Sequence, residues 1–360
     1  MRKYYIDRIR VMTIILVVVY HVIYIYNSVI KDGVIGPVTQ FHGLDAIQYV
    51  LYPWFMVILF LISGMCSRYY LETHTEREYF RARTRKLLVP STIGLFVIGW
   101  MQGYLNMSIS HVFDGMTGKI PGVIFYLILC LSGTGVLWTI QVMWVCSVVL
   151  LIVRRIEKGR LLKAGEHAGI AVLVLLGIPV WISAQILNMP MIAVYRFGIY
   201  GFTFLLGYYV FSWEKVTDTL KKYSIPLLIA AAVLGIAYVC MDYGKNYAVA
   251  PNVNSPLAIA YCWMMCLALI GSMKRWGNKS SAAGRFLAKR SFGLYVFHYL
   301  TLSACAYFLT TYTDLPGVAL YLLTAIAAFG GAFLLNAVVS RIPVIRWCVL
   351  GIKKEDSHVS

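Results

Sequence analysis

The chain has 360 residues, 60% of them hydrophobic and 13% charged, with a mean hydropathy of +0.74. A soluble domain is about 45–50% apolar and about 25% charged, so a water-soluble globule is excluded, and a disordered chain with it. The formal net charge of +17 marks either nucleic-acid binding or the inner face of a membrane protein, and where the charges fall decides between them.

A helix crossing a bilayer needs about 20 apolar residues. Windows of that kind fall at 11–30, 44–66, 87–105, 136–153, 168–187, 197–212, 224–241, 254–272, 291–312 and 317–339. The pattern predicts an all-α polytopic membrane protein with about ten transmembrane helices and both termini cytosolic. The first apolar run is too long for a cleavable signal peptide and has no small-residue cleavage site. The stretch PGVIFYLILCL at 121–131 is apolar but short, and reads as one extracellular interfacial or re-entrant helix. Residues 1–345 read as a single transmembrane domain, and 346–360 as a short cytosolic C-terminal tail.

With this topology 28 of the 32 basic residues lie on the cytosolic side, and only Lys31, Lys119, Arg196 and Lys245 lie outside. One missed span would invert every later loop, so the split supports the span count. Topology accounts for the charge, and no nucleic-acid partner is needed. The eight cysteines lie mostly within spans or at their cytosolic ends, which is not where a disulfide framework would sit. Cys262 and Cys266 share a helix face, but two thiols alone make a poor metal site. No bound metal is expected.

Ionisable groups within a membrane are costly and are therefore functional candidates. Nearly all of the 15 carboxylates fall in loops or at span ends, Asp45 coming closest to an exception. Among seven histidines only His21 and His298 sit inside apolar runs. His21 lies eleven residues after Arg10, about 16 Å along a helix and about 20° past three full turns. The two therefore share a face, with His21 near the midplane. His298 lies about 10 Å into the ninth span, and Ser291, Tyr295 and His298 share a face at i, i+4 and i+7. Each has a plainer role when taken singly. Arg10 can be an orientation anchor, and a lone histidine can satisfy a neighbouring carbonyl. Ser63-Gly64 can allow close helix packing, and Arg81, Arg83, Arg85 and Lys86 can hold inner-leaflet lipid.

Together these features resemble a known family. Arg10 and His21 in DRIRVMTIILVVVYH are similar to the opening motif of the acyltransferase 3 family of integral membrane O-acyltransferases. FLISGMCSRYY resembles its Ser-Gly span ending, and EYFRARTRKLLVP its basic segment. VLWTIQVMW resembles its Leu-Trp span start, and SFGLYVFH its Ser-x-x-x-Tyr-x-x-His element. The resemblance runs from about residue 5 to 340. RYYLETHTEREYF and YHVIYIYN look most like the branch containing glucan biosynthesis protein C. Lys86 stands where the family often has a second arginine. Val136 and Thr139 replace the histidine and aromatic that usually flank the Leu-Trp pair.

The resemblance implies transfer of an acetyl or succinyl group from cytosolic acyl-CoA to a hydroxyl of an extracytoplasmic glycan or glycoconjugate. The setting would be the plasma membrane of a bacterium, with acyl-CoA as donor substrate and no permanently bound cofactor. Arg10, Arg83, Arg85 and Lys86 are placed to bind CoA phosphates, and His21 to act as general base. Ser63, Ser291, Tyr295 and His298 are candidates to orient it or to hydrogen-bond the oxyanion. Trp138 is a candidate sugar platform. The alternative is a proton-coupled transporter or flippase for a sugar or lipid-linked substrate, since intramembrane His and Arg also mark transport paths. Transporters tend to carry inverted repeats, and no matching halves are visible.

Overall fold

The computed structural model describes residues 3–30, 33–38, 42–112, 114, 119–189 and 192–353. Arg2, Lys31, Lys354 and the tail residues 354–360 lie outside the described residues. Among the described residues the chain is helical, with no strand. The helices are α1 (Tyr4–Tyr24), α2 (Asp45–Leu71), α3 (Glu76–Ser110), α4 (Gly122–Ser132), α5 (Gly135–Glu157), α6 (Arg160–Glu166) and α7 (Ile170–Ala184). They continue with α8 (Phe197–Phe211), α9 (Glu214–Lys222), α10 (Ser224–Asp242), α11 (Pro256–Trp276), α12 (Ala282–Tyr312), α13 (Gly317–Arg341) and α14 (Pro343–Leu350).

Seven of them, α2, α3, α5, α10, α11, α12 and α13, are long and apolar enough to cross a membrane. The chain is thus an all-α polytopic membrane protein. The remaining expected windows fall on α1 and on the shorter apolar helices α7 and α8. The 121–131 stretch is α4, whose 11 residues reach only about 16 Å.

Much of the apolar sequence is Ile and Val, modest helix formers in water. Lipid offers the backbone no partner, so the segments close their own hydrogen bonds. Hydroxyls follow the same rule and fold back onto the preceding turn. Ser67 donates to Ser63 O at 2.8 Å, Ser147 to Met143 O at 2.8 Å and Thr203 to Ile199 O at 2.7 Å. Around Pro53, which has no N–H to donate, the carbonyl of Val50 accepts the Trp54 indole at 2.6 Å and the Tyr261 hydroxyl at 2.8 Å. Thr75 and Glu78 start α3 with a capping box: Thr75 N–H donates to Glu78 at 2.8 Å and Glu78 N–H to Thr75 Oγ1 at 3.3 Å.

The chain forms two compact units. The first comprises 1–13, 49–81 and 142–288. Its α2 and α8 cross closely: a Cβ on Gly64 would stand 1.9 Å from Phe204 O, and one on Gly207 2.0 Å from Leu61 O. The short amphipathic α9 packs on the end of α11. There Lys274 Nζ meets Glu214 at 2.6 Å, Asp218 at 2.7 Å and Thr217 Oγ1 at 2.8 Å.

The second unit comprises 14–48, 82–141 and 289–360. Its α3 holds two wide π turns, Thr84–Leu88 and Leu95–Gly99. Such turns leave carbonyls without their usual partners, and Tyr126 of α4 donates its hydroxyl to Phe96 O in the second one. A Cβ on Gly133 would stand 1.8 Å from Gly99 O, so α4 lies directly on the α3 backbone. Residues 346–350, expected in the tail, belong to α14, which restarts with Pro343 in its first turn after extended Ile342. Cys348, Val349 and Leu350 are buried. Gly351 closes α14 at φ +63°, where a Cβ would meet Arg85 O at 2.3 Å.

Candidate functional site

The second unit brings its two intramembrane histidines together. His21 of α1 and His298 of α12 meet with Nδ1 of the first 3.3 Å from Nε2 of the second. His298 is fully buried, whereas His21 is half-buried. Counting along the sequence put both rings at similar depths, and here they are in contact.

Backbone carbonyls assign the protons. His298 Nδ1 lies 2.8 Å from Tyr295 O and 3.3 Å from Leu294 O. A carbonyl only accepts, so Nδ1 carries the hydrogen and Nε2 of the neutral ring keeps its lone pair. His21 Nδ1 lies 2.8 Å from Val17 O, so it too carries a hydrogen, shared between Val17 O and His298 Nε2. The basic nitrogen of His21 is then Nε2, which has no protein partner among the described residues. The arrangement yields one oriented base, backed by a second imidazole that accepts from it.

Aromatic rings border the His21 imidazole. Tyr299 stands edge-on to His21 with centroids 5.1 Å apart, and Tyr24 is 6.1 Å away. Both follow from helical spacing, Tyr24 at i+3 from His21 and Tyr299 at i+4 from Tyr295. A search confined to carboxylates and histidines passes over them. Tyr295 is buried and donates to Val136 O at 2.6 Å. Its hydroxyl therefore clamps α12 to the first turn of α5, two residues before half-buried Trp138. Gly135 sits against the Tyr299 ring. Ser291 is buried on α12, two residues before Gly293, whose Cα faces Asn336 of α13.

Arg83, Arg85 and Lys86 lie at the first π turn of α3, with Lys86 exposed and the two arginines half-buried. The α14 cap at Gly351 abuts Arg85 O, which holds this basic turn in place. Arg10 and Ser63 belong to the first unit. Arg10 Nη2 pairs with Asp7 at 2.7 Å, and Ser63 is buried beside the close α2–α8 crossing at Gly64. Asp45 is buried at the start of α2 and accepts from Ser28. Cys262 and Cys266 are buried free thiols. Among the described residues no group of three or more His, Cys, Asp or Glu side chains is arranged to hold a metal.

A family model described as an acyltransferase domain matches residues 3–337. No curated protein and no solved structure matches the chain. The family match spans nearly all of the chain, both intramembrane histidines included, and the fold around them is the expected multi-pass helical one. The chain accordingly belongs to the acyltransferase 3 family: it is a multi-pass membrane acyltransferase, acting between an acyl donor and a hydroxyl acceptor in the lipid bilayer.

Proposed function

We propose that the enzyme moves an acetyl or succinyl group from cytosolic acyl-CoA to a hydroxyl of an extracytoplasmic glycan or glycoconjugate, with His21 as general base. The observation that carries this reading is the His21–His298 contact, which leaves His21 Nε2 as the one oriented lone pair of the pair. The acceptor hydroxyl gives its proton to Nε2 as its oxygen attacks the thioester carbonyl. The C–S bond of the tetrahedral intermediate then breaks, Nε2–H returns the proton to the leaving thiolate, and the products are an ester and free CoA thiol. While His21 is protonated, its Nδ1–H is held by Val17 O and His298 Nε2. His298 is thus a positioning residue, and Tyr295 fixes its helix through Val136 O.

Arg83, Arg85 and Lys86 at the basic turn supply the cations for CoA phosphates. Trp138 and Tyr299 offer apolar faces to a sugar ring. Ser291 is the candidate for the oxyanion partner. Both termini face the cytosol, as the distribution of basic residues supports, and the membrane is read as the plasma membrane of a bacterium.

The test is mass spectrometry of surface glycans from cells with the protein, without it, and with His21→Gln at equal membrane abundance. One ester should be present in the first case and absent in the other two. An ester that persists with His21→Gln removes His21 as the base. Identical glycans with and without the protein remove the glycan as acceptor.

A further inference from the structure

The first unit contains a buried cation that no carboxylate among the described residues neutralises. Arg196 stands immediately before Phe197, the first residue of α8, and is 4% exposed. Its Nη2 donates to Asn254 Oδ1 at 2.7 Å and to Val253 O at 3.2 Å. Its Nε is buried with no acceptor, and no carboxylate among the described residues lies within ion-pairing distance of the guanidinium. The contrast with Lys274 is direct, since that buried ammonium holds two carboxylates. A guanidinium does not shed its proton, and a buried charge without a counter-charge is costly.

The surroundings add positive potential and hydroxyls, and the carboxylate at the cluster's edge, Asp242 near Tyr238, is already paired with Lys245 at 2.8 Å. Arg196 is the residue at the N-terminus of the 15-residue α8, the end of a helix that attracts anions. Tyr200 lies beside the guanidinium, with Tyr52 in electrostatic reach. Tyr52 packs against Tyr247 with centroids 5.0 Å apart, and Tyr247 against Tyr49 at 4.8 Å. Tyr238, 6.4 Å from Tyr49, carries a second buried polar atom without a partner, its hydroxyl. An unneutralised arginine, a helix N-terminus and an orphan hydroxyl thus share one tyrosine-rich cluster.

We propose that this cluster is a binding site for an anionic oxygen group, a phosphate or a carboxylate, with Arg196 as its charged ligand. The group completes the donors that the protein leaves open. By the sidedness proposed above, the site lies on the extracytoplasmic side, where an acceptor or a lipid headgroup would supply such a group. The site is independent of His21 chemistry, and its test does not read acyl transfer.

The experiment is thermal unfolding of the purified full chain in detergent, titrated with sodium phosphate or sodium acetate against sodium chloride at equal ionic strength. A parallel arm compares nanodiscs of phosphatidylcholine with nanodiscs containing phosphatidylglycerol. A specific anion raises the unfolding temperature saturably. A response to phosphate alone identifies a free phosphate group, a response to acetate a carboxylate, and a response confined to phosphatidylglycerol a lipid headgroup. Arg196→Gln should weaken the apparent affinity at least tenfold. Asn254→Asp keeps the arginine and places a carboxylate beside it. It should weaken the affinity equally while raising the unfolding temperature without anion, so it carries the test even if Arg196→Gln fails to fold. A wild-type protein that responds to none of the three anions overturns the proposal, and so does an Asn254→Asp variant that keeps the full response.

Discussion

The first unit buries an ammonium among oxygens, and the second buries two imidazoles among carbonyls. Around Lys274 every donor is taken: Glu214, Asp218 and Thr217 lie within 2.8 Å, and Glu214 O accepts as well at 3.2 Å. Around His21 and His298 three ring nitrogens are engaged and the fourth, Nε2 of His21, is left over. The charged cluster is closed and serves to join α9 to α11. The neutral cluster is open at one atom, and an atom with a spare lone pair is what proton transfer needs. Burial and polarity alone do not distinguish the two, because both are buried and polar. The completeness of the hydrogen bonding does.

The comparison breaks most sharply at His21. Replacing it with Gln removes the base while keeping a similar volume, and a positioned general base contributes about 10²–10⁴ in rate. The expected outcome is a fall of that size in acyl transfer to a hydroxyl acceptor, with membrane abundance and unfolding temperature unchanged. A comparable loss of folded protein would instead class His21 with Lys274 as a structural residue.

The charged cluster should respond with stability, and asymmetrically. The Lys274 side chain is 6% exposed, whereas those of Glu214 and Asp218 are 59% and 54% exposed. Removing both carboxylates, as in Glu214→Gln with Asp218→Asn, strands a buried ammonium and should cost about 3–5 kcal/mol. Lys274→Met leaves two carboxylates that water can solvate, so the loss is limited to the charge-assisted hydrogen bonds, about 1.5–3 kcal/mol. Urea or thermal unfolding of the three proteins reads the order. Lys274→Met as the more damaging change would show the carboxylates to be the dependent partners.

His298 lies between these extremes. His298→Phe keeps an aromatic ring but removes one of the two acceptors of His21 Nδ1–H. A hydrogen bond to a group that becomes charged contributes about 1.5–3 kcal/mol, so kcat should fall roughly 10- to 150-fold. KM for the acyl donor should not change, because His298 touches His21 and not the donor. A rise in KM with constant kcat would place His298 in donor binding rather than in orienting the base.

Much of this was legible before the coordinates, and the remainder has physical reasons for its absence. Hydrophobic runs dictate helices in lipid, so the windows at 44–66 and 291–312 map onto α2 and α12 with their flanks extended. The depths of His21 and His298 follow from helical rise. Their proton arrangement does not, because it depends on which carbonyls, Val17 and Tyr295, the rotamers reach. The π turns of α3 carry no hydropathy signature; in the second, Phe96 O finds the Tyr126 hydroxyl. The short stretch from 346 carries no long apolar run, so its packing is not legible in the sequence: Cys348, Val349 and Leu350 of α14 are buried. Arg196 read as one stray outer cation. Its burial depends on Val253 and Asn254, almost sixty residues later in the chain, which no local pattern reports.

The smallest expected effect follows from the titration of the closed cluster. Partial burial alone would raise the Glu214 carboxyl, but hydrogen bonds and charge from Lys274 and Lys3 outweigh it and hold the group at about 2, below the ordinary 4.5. A carboxyl depressed in the folded state contributes stability that is fully present above its unfolded value of 4.5 and is lost as pH falls through 2. The stability gap between wild type and Glu214→Gln should therefore be constant from neutral pH down to about 5 and close steadily below that. Because more than half of the Glu214 side chain is exposed, solvent screens the pair and the gap is small. Paired unfolding temperatures at stepped pH read it. The absence of a gap at every pH would mean that Lys274 is held by Asp218 and Thr217 alone, and that Glu214 is a bystander in the cluster.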